Sequence, residues 1–322
     1  MTVALLEVAD LKKHYDAQTR ALGRSNTTVK AVDGVSFCMH RGETLALVGE
    51  SGCGKSTVGK LIVRLSDPTG GMIRIDGSDI TRARGEPLRR LRRRIQMVFQ
   101  DPYASLNARM RAGDIVREPL ENFDRRPAGE LDKIVVELFA KVGLQREAMQ
   151  KFPFEFSGGQ RQRLGIARAL ALSPELIVAD EPVSALDVSV QAQVINLLMD
   201  LQAELGVAYL FISHDLGVVE HIAHRVAVMY FGRIVEIGHK RAIFDQPAHP
   251  YTRSLISAAP VIDPALRRKR VLLEGDLPSH DNPPTGCPFH SRCPSAFDRC
   301  RVEAPELAPR RGGQLAACHL SD

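Results

Sequence analysis

Thr44-Leu45-Ala46-Leu47-Val48 runs directly into Gly49-Glu50-Ser51-Gly52-Cys53-Gly54-Lys55-Ser56-Thr57, and the fold is decided at this junction. The first five residues form a short, almost wholly apolar run of the kind that suits a strand buried on both faces. The residues after it match GxxxxGK[ST], a phosphate-binding loop. Its glycines let the chain curl so that backbone amides point inward as an anion nest. The helical pattern STVGKLIVRL follows, and a helix N-terminus adds partial positive charge. In such a loop Lys55 is a point charge for the β- and γ-phosphates of a nucleotide, and the Ser56 hydroxyl is a ligand for Mg²⁺. A glycine-rich turn alone would say little; strand before and helix after give it meaning. Cys53 reads as a small loop residue, with a redox role as the alternative.

Outward from the loop, further strand-length apolar runs lie at 95–99 (IQMVF), 176–179 (LIVA) and 209–212 (YLFI). Helical spacing joins Leu131, Ile134, Val135, Leu138, Phe139 and Val142, and again Val190, Val194, Leu197, Leu198 and Leu201. This alternation predicts an α/β fold with a mainly parallel sheet. Residues 3–48 are rich in strand patterns and are expected to add an antiparallel β subdomain. Residues 101–172 read as an inserted helical subdomain. Beyond residue 239 the periodicity fades and Pro, Arg and Cys rise; PSHDNPPTG (278–286) reads as loop. The expected division is a nucleotide-binding domain over 1–260 and a small C-terminal extension over 261–322.

The chain has 322 residues, 44% hydrophobic and 25% charged, with mean hydropathy −0.12. This composition excludes disorder along the whole chain, and the length suffices for a core without disulfide staples. No run approaches the roughly 20 apolar residues a membrane-spanning helix needs. The opening MTVALLEVADLKKHY lacks a basic stretch before an apolar one, so no secretory signal is expected. The net charge of +5 is mild. Its one dense cluster, Arg82, Arg84, Arg89, Arg90, Arg92, Arg93 and Arg94, reads as a solvated helix face, or as a contact for anionic lipid headgroups or a partner.

Leu176-Ile177-Val178-Ala179-Asp180-Glu181 is an apolar strand ending in two acids. An Asp at a strand's end beside a phosphate loop can hold Mg²⁺, and the next Glu can orient or deprotonate an attacking water. Two adjacent carboxylates repel each other, which a bound cation compensates.

Phe156-Ser157-Gly158-Gly159-Gln160-Arg161-Gln162-Arg163 resembles the LSGGQ signature of ABC-transporter ATPases, with Phe156 where the signature has Leu. The resemblance implies the P-loop ABC ATPase fold over roughly residues 3–260. It implies ATP sandwiched between two ATPase subunits, with the 157–160 turn of one facing the γ-phosphate held by the other's loop. It further implies Tyr15 stacking on adenine (a core aromatic being the alternative), Gln100 contacting Mg²⁺ or water, Asp187 crossing the dimer interface, and His214 contacting the γ-phosphate. ESGCGKST, VFQDPYASLN, HPYTRSLISAAP and the cysteine-containing tail look more narrowly like the ATP-binding subunits of oligopeptide/dipeptide importers. Such subunits pair, as homo- or heterodimers, with two integral-membrane permeases and an external solute-binding protein, and act at the cytoplasmic face of the inner membrane. Ala108 departs from the SLNP of many relatives. No nucleic-acid partner is implied. A glutathione-like peptide, nickel or another small solute stays open as cargo. A non-transport ABC ATPase and a regulatory protein with a dead site are the rival readings; the first lacks a second cassette here, and the second conflicts with Lys55, Gln100, Asp180, Glu181 and His214 all being present.

Cys287, Cys293, Cys300 and Cys318 cluster in the tail at C-x5-C-x6-C-x17-C. In a reducing compartment such thiols favour metal over disulfides. The spacing differs from the paired CxxC of zinc ribbons, and four thiolates can ligate a [4Fe–4S] cluster. A [4Fe–4S] cluster, Zn²⁺ and unligated thiols remain the three readings, with His290 and His319 as substitute ligands. The importer resemblance also favours the cluster.

Overall fold

The computed structural model describes residues 4–17, 27–123, 126–258 and 283–320. In chain order the elements are β1 (Leu6–Ala17), β2 (Thr27–Met39), β3 (Thr44–Val48), α1 (Lys55–Ile62), β4 (Gly70–Ile75), β5 (Ser78–Asp79), α2 (Gly85–Arg94), β6 (Ile95–Val98), α3 (Pro102–Ser105), α4 (Ala112–Phe123) and α5 (Ala128–Lys141). There follow α6 (Gly158–Leu170), β7 (Leu176–Asp180), α7 (Val188–Leu205), β8 (Ala208–Ser213), α8 (Leu216–Ile222), β9 (Arg225–Tyr230), β10 (Arg233–His239), α9 (Lys240–Asp245), α10 (Pro250–Ala258), α11 (Asp298–Val302), β11 (Ala308–Pro309) and β12 (Leu315–Ala316). They fall into two compact units: Met1–Met39 with Leu45–Arg82 and Ser213–Asp322, and His40–Thr44 with Ala83–Ile212.

In the first unit β1 pairs antiparallel with β2 and β4, and β4 with β5, which is the expected antiparallel β subdomain. Asp10 sits at φ 48° where the β1 register shifts, and its amide is taken up by the Ser36 hydroxyl at 2.9 Å. The same unit holds β3, parallel to β9 and buried at every residue, as its apolar run requires. β9 turns into antiparallel β10 through Phe231 and Gly232, both at positive φ, the backbone of a tight two-residue hairpin. Sequence patterning raised no expectation for this hairpin. The tail is built into the same sheet: β12 pairs with the edge of β10, and β11 with β12. The expected boundary at 260/261, and residues 278–282 of the expected loop, lie outside the described residues.

In the second unit β6, β7 and β8 are mutually parallel, and β7 and β8 are buried throughout. Helices α3 to α6 fill the stretch expected to be helical. α5 buries Leu131, Val135, Leu138 and Phe139 on one face; α7 buries Val194, Ile195, Leu198 and Leu201. On α2, Arg89, Arg90, Arg92 and Arg93 are exposed, whereas Arg94 binds Glu175 at 3.0 Å and lowers that carboxyl's pKa. Among the described residues no helix is long and apolar enough to cross a membrane.

Candidate functional site

The phosphate loop lies in the first unit, between β3 and α1. Gly49 (φ 153°) and Gly54 (φ 105°) have backbone conformations that L side chains rarely adopt. A Cβ on either would meet a carbonyl oxygen at 2.1 Å, Met229 O for Gly49 and Ala31 O for Gly54. Glycine is therefore needed twice over, for the turn and for the close approach of neighbouring strands. α1 starts after Gly54, which as a glycine offers no side-chain cap. Lys55 is 5% exposed, and its ammonium donates to the carbonyls of Gly49 (2.7 Å) and Glu50 (2.9 Å). Ser56 and Thr57 follow in the first turn of α1, while Ser51 and Gly52 are exposed at the loop's tip. Cys53 is buried, which pushes its thiol pKa up and keeps it protonated, against the redox alternative. Tyr15, on β1, is 44% exposed with Lys13 Nζ 4.9 Å from its ring centre, so it is not a core aromatic. His214 is exposed, just ahead of the α8 cap, where the Asp215 carboxylate accepts from the amides of Gly217 (2.9 Å) and Val218 (3.2 Å).

The second unit gathers the other expected residues. Asp180 ends β7 and is 4% exposed. Glu181 follows at φ 45°, its amide donating to Ile212 O at 2.9 Å. The Gln100 side-chain amide donates to Glu181 Oε2 at 2.9 Å, bringing together two residues 81 apart in sequence. α6 opens at Ser157 with a reciprocal cap: Ser157 Oγ accepts from Gln160 N (3.3 Å), and Gln160 Oε1 accepts from Ser157 N (3.0 Å). This leaves Gly158 and Gly159 as the first-turn donors. Gly159 is buried tightly; a Cβ there would lie 2.4 Å from Val190 Cγ1. Phe156 is 4% exposed, the apolar anchor its position called for. Asp187 caps α7, accepting from Val190 N (3.0 Å) and the Ser189 hydroxyl (2.7 Å), bonds that hold its pKa below the usual carboxylate range.

The four tail cysteines lie in the first unit and form no disulfide. Cys287 and Cys300 are buried. Burial first, and then the other thiols, push the Cys287 pKa up to about 11. Among the described residues no three His, Cys, Asp or Glu side chains are arranged to ligate a single metal ion. The His290 ring is 2.8 Å from Cys287 O, and the His319 ring is 2.8 Å from Glu303 O.

Sequence reasoning missed a set of residues, two of which reach the loop. His249 is 1% exposed; burial drives its pKa down to about 3, so the ring stays neutral, with Nδ1 accepting from Tyr251 N at 3.0 Å. Glu236, fully buried, accepts from the amides of Ala248 (2.8 Å) and His249 (2.9 Å) at the start of α10. Tyr251 and Arg292 both reach Glu50. The run HPYT could have signalled a helix start, since Pro250 opens α10; nothing in the sequence singles out Arg292 among so many arginines.

A family model described as ABC transporter matches residues 32–184, and one described as the C-terminal region of oligopeptide/dipeptide transporters matches residues 235–300. A "probable peptide ABC transporter ATP-binding protein" of Sinorhizobium fredii is 58% identical over 320 residues, covering 99% of this chain and 91% of that one. The oligopeptide transport ATP-binding protein AppF of Bacillus subtilis is 51% identical over 98% of this chain and 97% of its own. The dipeptide transport ATP-binding protein DppF of Escherichia coli is 51% identical over 99% and 95%. Among solved structures, a dimeric ATP-binding cassette with bound ADP and phosphate aligns with TM-score 0.65 at 29% identity, over 73% of this chain and 99% of that one. The chain therefore belongs to the ABC transporter family, among the ATP-binding subunits of the oligopeptide/dipeptide type.

Proposed function

We propose that this chain hydrolyses ATP to drive import of di- or oligopeptides. In this reading it pairs with a second ATPase subunit, docks on two integral-membrane permeases at the cytoplasmic face of the inner membrane, and is served by an external binding protein. The supporting relatives carry peptide-transport names and match almost end to end. The observation that carries the catalytic part is the 2.9 Å bond from Gln100 to Glu181, next to the buried Asp180. It orients the Glu181 carboxylate, the group this reading assigns to the attacking water.

Lys55 and the amides of residues 49–57, that of Glu50 excepted, bind the β- and γ-phosphates, and Tyr15 offers an exposed ring for the base. Ser56, Asp180 and Gln100 supply hydroxyl, carboxylate and carboxamide oxygens, a hard donor set that fits Mg²⁺. When bound, that ion neutralises phosphate charge. Glu181 positions the attacking water, and His214 offsets charge on the γ-phosphate. Residues 157–160 of the partner subunit close over the nucleotide, with Asp187 at the same interface. Contacts made only in the closed form supply the free energy that shifts the permease. On this reading residues 1–260 form the ATPase domain and 261–322 the extension.

Glu181→Gln keeps the shape of the site and removes the base. Nucleotide binding should persist while phosphate release falls roughly 100-fold or more. Hydrolysis at the unmodified rate would overturn the assignment of Glu181.

For the tail thiols the favoured reading is a [4Fe–4S] cluster, which four thiolates can ligate at irregular spacing and which the importer resemblance supports, with Zn²⁺ and unligated thiols as the alternatives. Protein purified without oxygen should contain iron and sulfide and absorb in the visible; stoichiometric zinc, or no metal, would reject the cluster.

A further inference from the structure

Glu50, the second residue of the phosphate loop, is gripped at four atoms, three of them by the C-terminal part of the chain. Its amide donates to the Tyr251 hydroxyl at 2.9 Å. Its carboxylate accepts both arms of Arg292, at 2.8 and 3.1 Å. Its carbonyl accepts from Lys55 Nζ at 2.9 Å. Arg292 is far from an ordinary surface cation. Its side chain is 9% exposed, against 24% for Glu50. It lies beside a cluster of rings in which Tyr230, Tyr251 and Phe289 pack at 4.7 to 5.4 Å between centres. A two-pronged guanidinium–carboxylate pair fixes orientation as well as distance. Removing one member of a poorly hydrated pair also strands the other's charge.

These contacts form a relay: Arg292 and Tyr251 fix Glu50, and Glu50 with Gly49 holds the Lys55 ammonium. We infer that Arg292 is a positioning residue for nucleotide binding, acting through Glu50 to aim Lys55, so that the C-terminal extension forms one wall of the ATP site. The inference rests on residues 49–57 binding nucleotide phosphates, and it is independent of what the tail thiols hold. Arg292 adjoins Cys293 in sequence, so the residue that braces the loop belongs to the cysteine-bearing segment itself.

The test uses the full-length chain in its assembled transporter and compares Arg292→Met, Arg292→Lys, Glu50→Gln and the Arg292→Met/Glu50→Gln double variant. ATP affinity is read by titration, KM and kcat by phosphate release, and folding by thermal midpoint. Arg292→Met should raise the KM and Kd for ATP about five-fold with kcat within about two-fold, and the double variant should be no worse than the poorer single one. Arg292→Lys, which keeps charge and loses the fork, should fall between the Met variant and the unmodified chain. Unchanged ATP affinity in a folded Arg292→Met chain, or losses that simply add in the double variant, overturns the inference. Should Arg292→Met fail to fold, the same criteria apply to Glu50→Gln and Arg292→Lys. Lys55→Ala is the control for the underlying reading: if it too leaves ATP affinity intact, the phosphate-loop assignment itself is wrong.

Discussion

The molecule has two glycine-rich helix starts, and they are finished in opposite ways. At Ser157 the helix caps itself: Ser157 and Gln160 satisfy each other's backbone amides, and two glycine amides remain. At Gly54 the helix has no side-chain cap, and the loop before it takes its shape from distant residues, Met229, Ala31, Tyr251 and Arg292. The signature turn is thus capped by its own residues, with Gly159 pressed against Val190 from outside. The phosphate loop is a tertiary object, with a cation at its centre held by its own carbonyls. A loop that needs outside support to hold a buried ammonium in place is suited to trade those carbonyls for phosphate oxygens.

That contrast can be broken experimentally. Lys55→Ala removes the central charge, and ATP affinity should drop by roughly 10- to 100-fold, the worth of a charge-assisted hydrogen bond; titration of the full chain with ATP checks this, and a drop under two-fold would deny the loop its special status. The smaller effect belongs to the other start. Ser157→Ala should cost about 1 kcal/mol of stability, as loss of a helix cap does, while leaving the Lys55-dependent affinity of the isolated chain alone. Urea unfolding measures the first, titration the second. A Ser157→Ala chain with weakened monomeric ATP binding would show that the two starts are less independent than their construction implies.

The same contrast explains what was legible from sequence. LIVA and YLFI revealed their strands because β7 and β8 are buried on both faces, and α5 and α7 showed their buried stripes through spacing. The self-capped turn at 157–160 could be read from its own residues. The β9–β10 hairpin escaped notice because its turn carries Phe231 where Asn or Asp would announce it. The brace on Glu50 escaped because Arg292 lies 242 residues away, and no local rule links residues so separated. The residues proposed for catalysis were each named from a motif; the bond between Gln100 and Glu181 needed coordinates.

Glu181 carries one further lesson. Its left-handed backbone, at φ 45°, is a conformation in which Gly or Asn would rest more easily. Holding a longer acid there costs of order 1 kcal/mol. On the proposed reading of Glu181 as the group that positions water, that strained carboxylate is endurance given up in exchange for turnover.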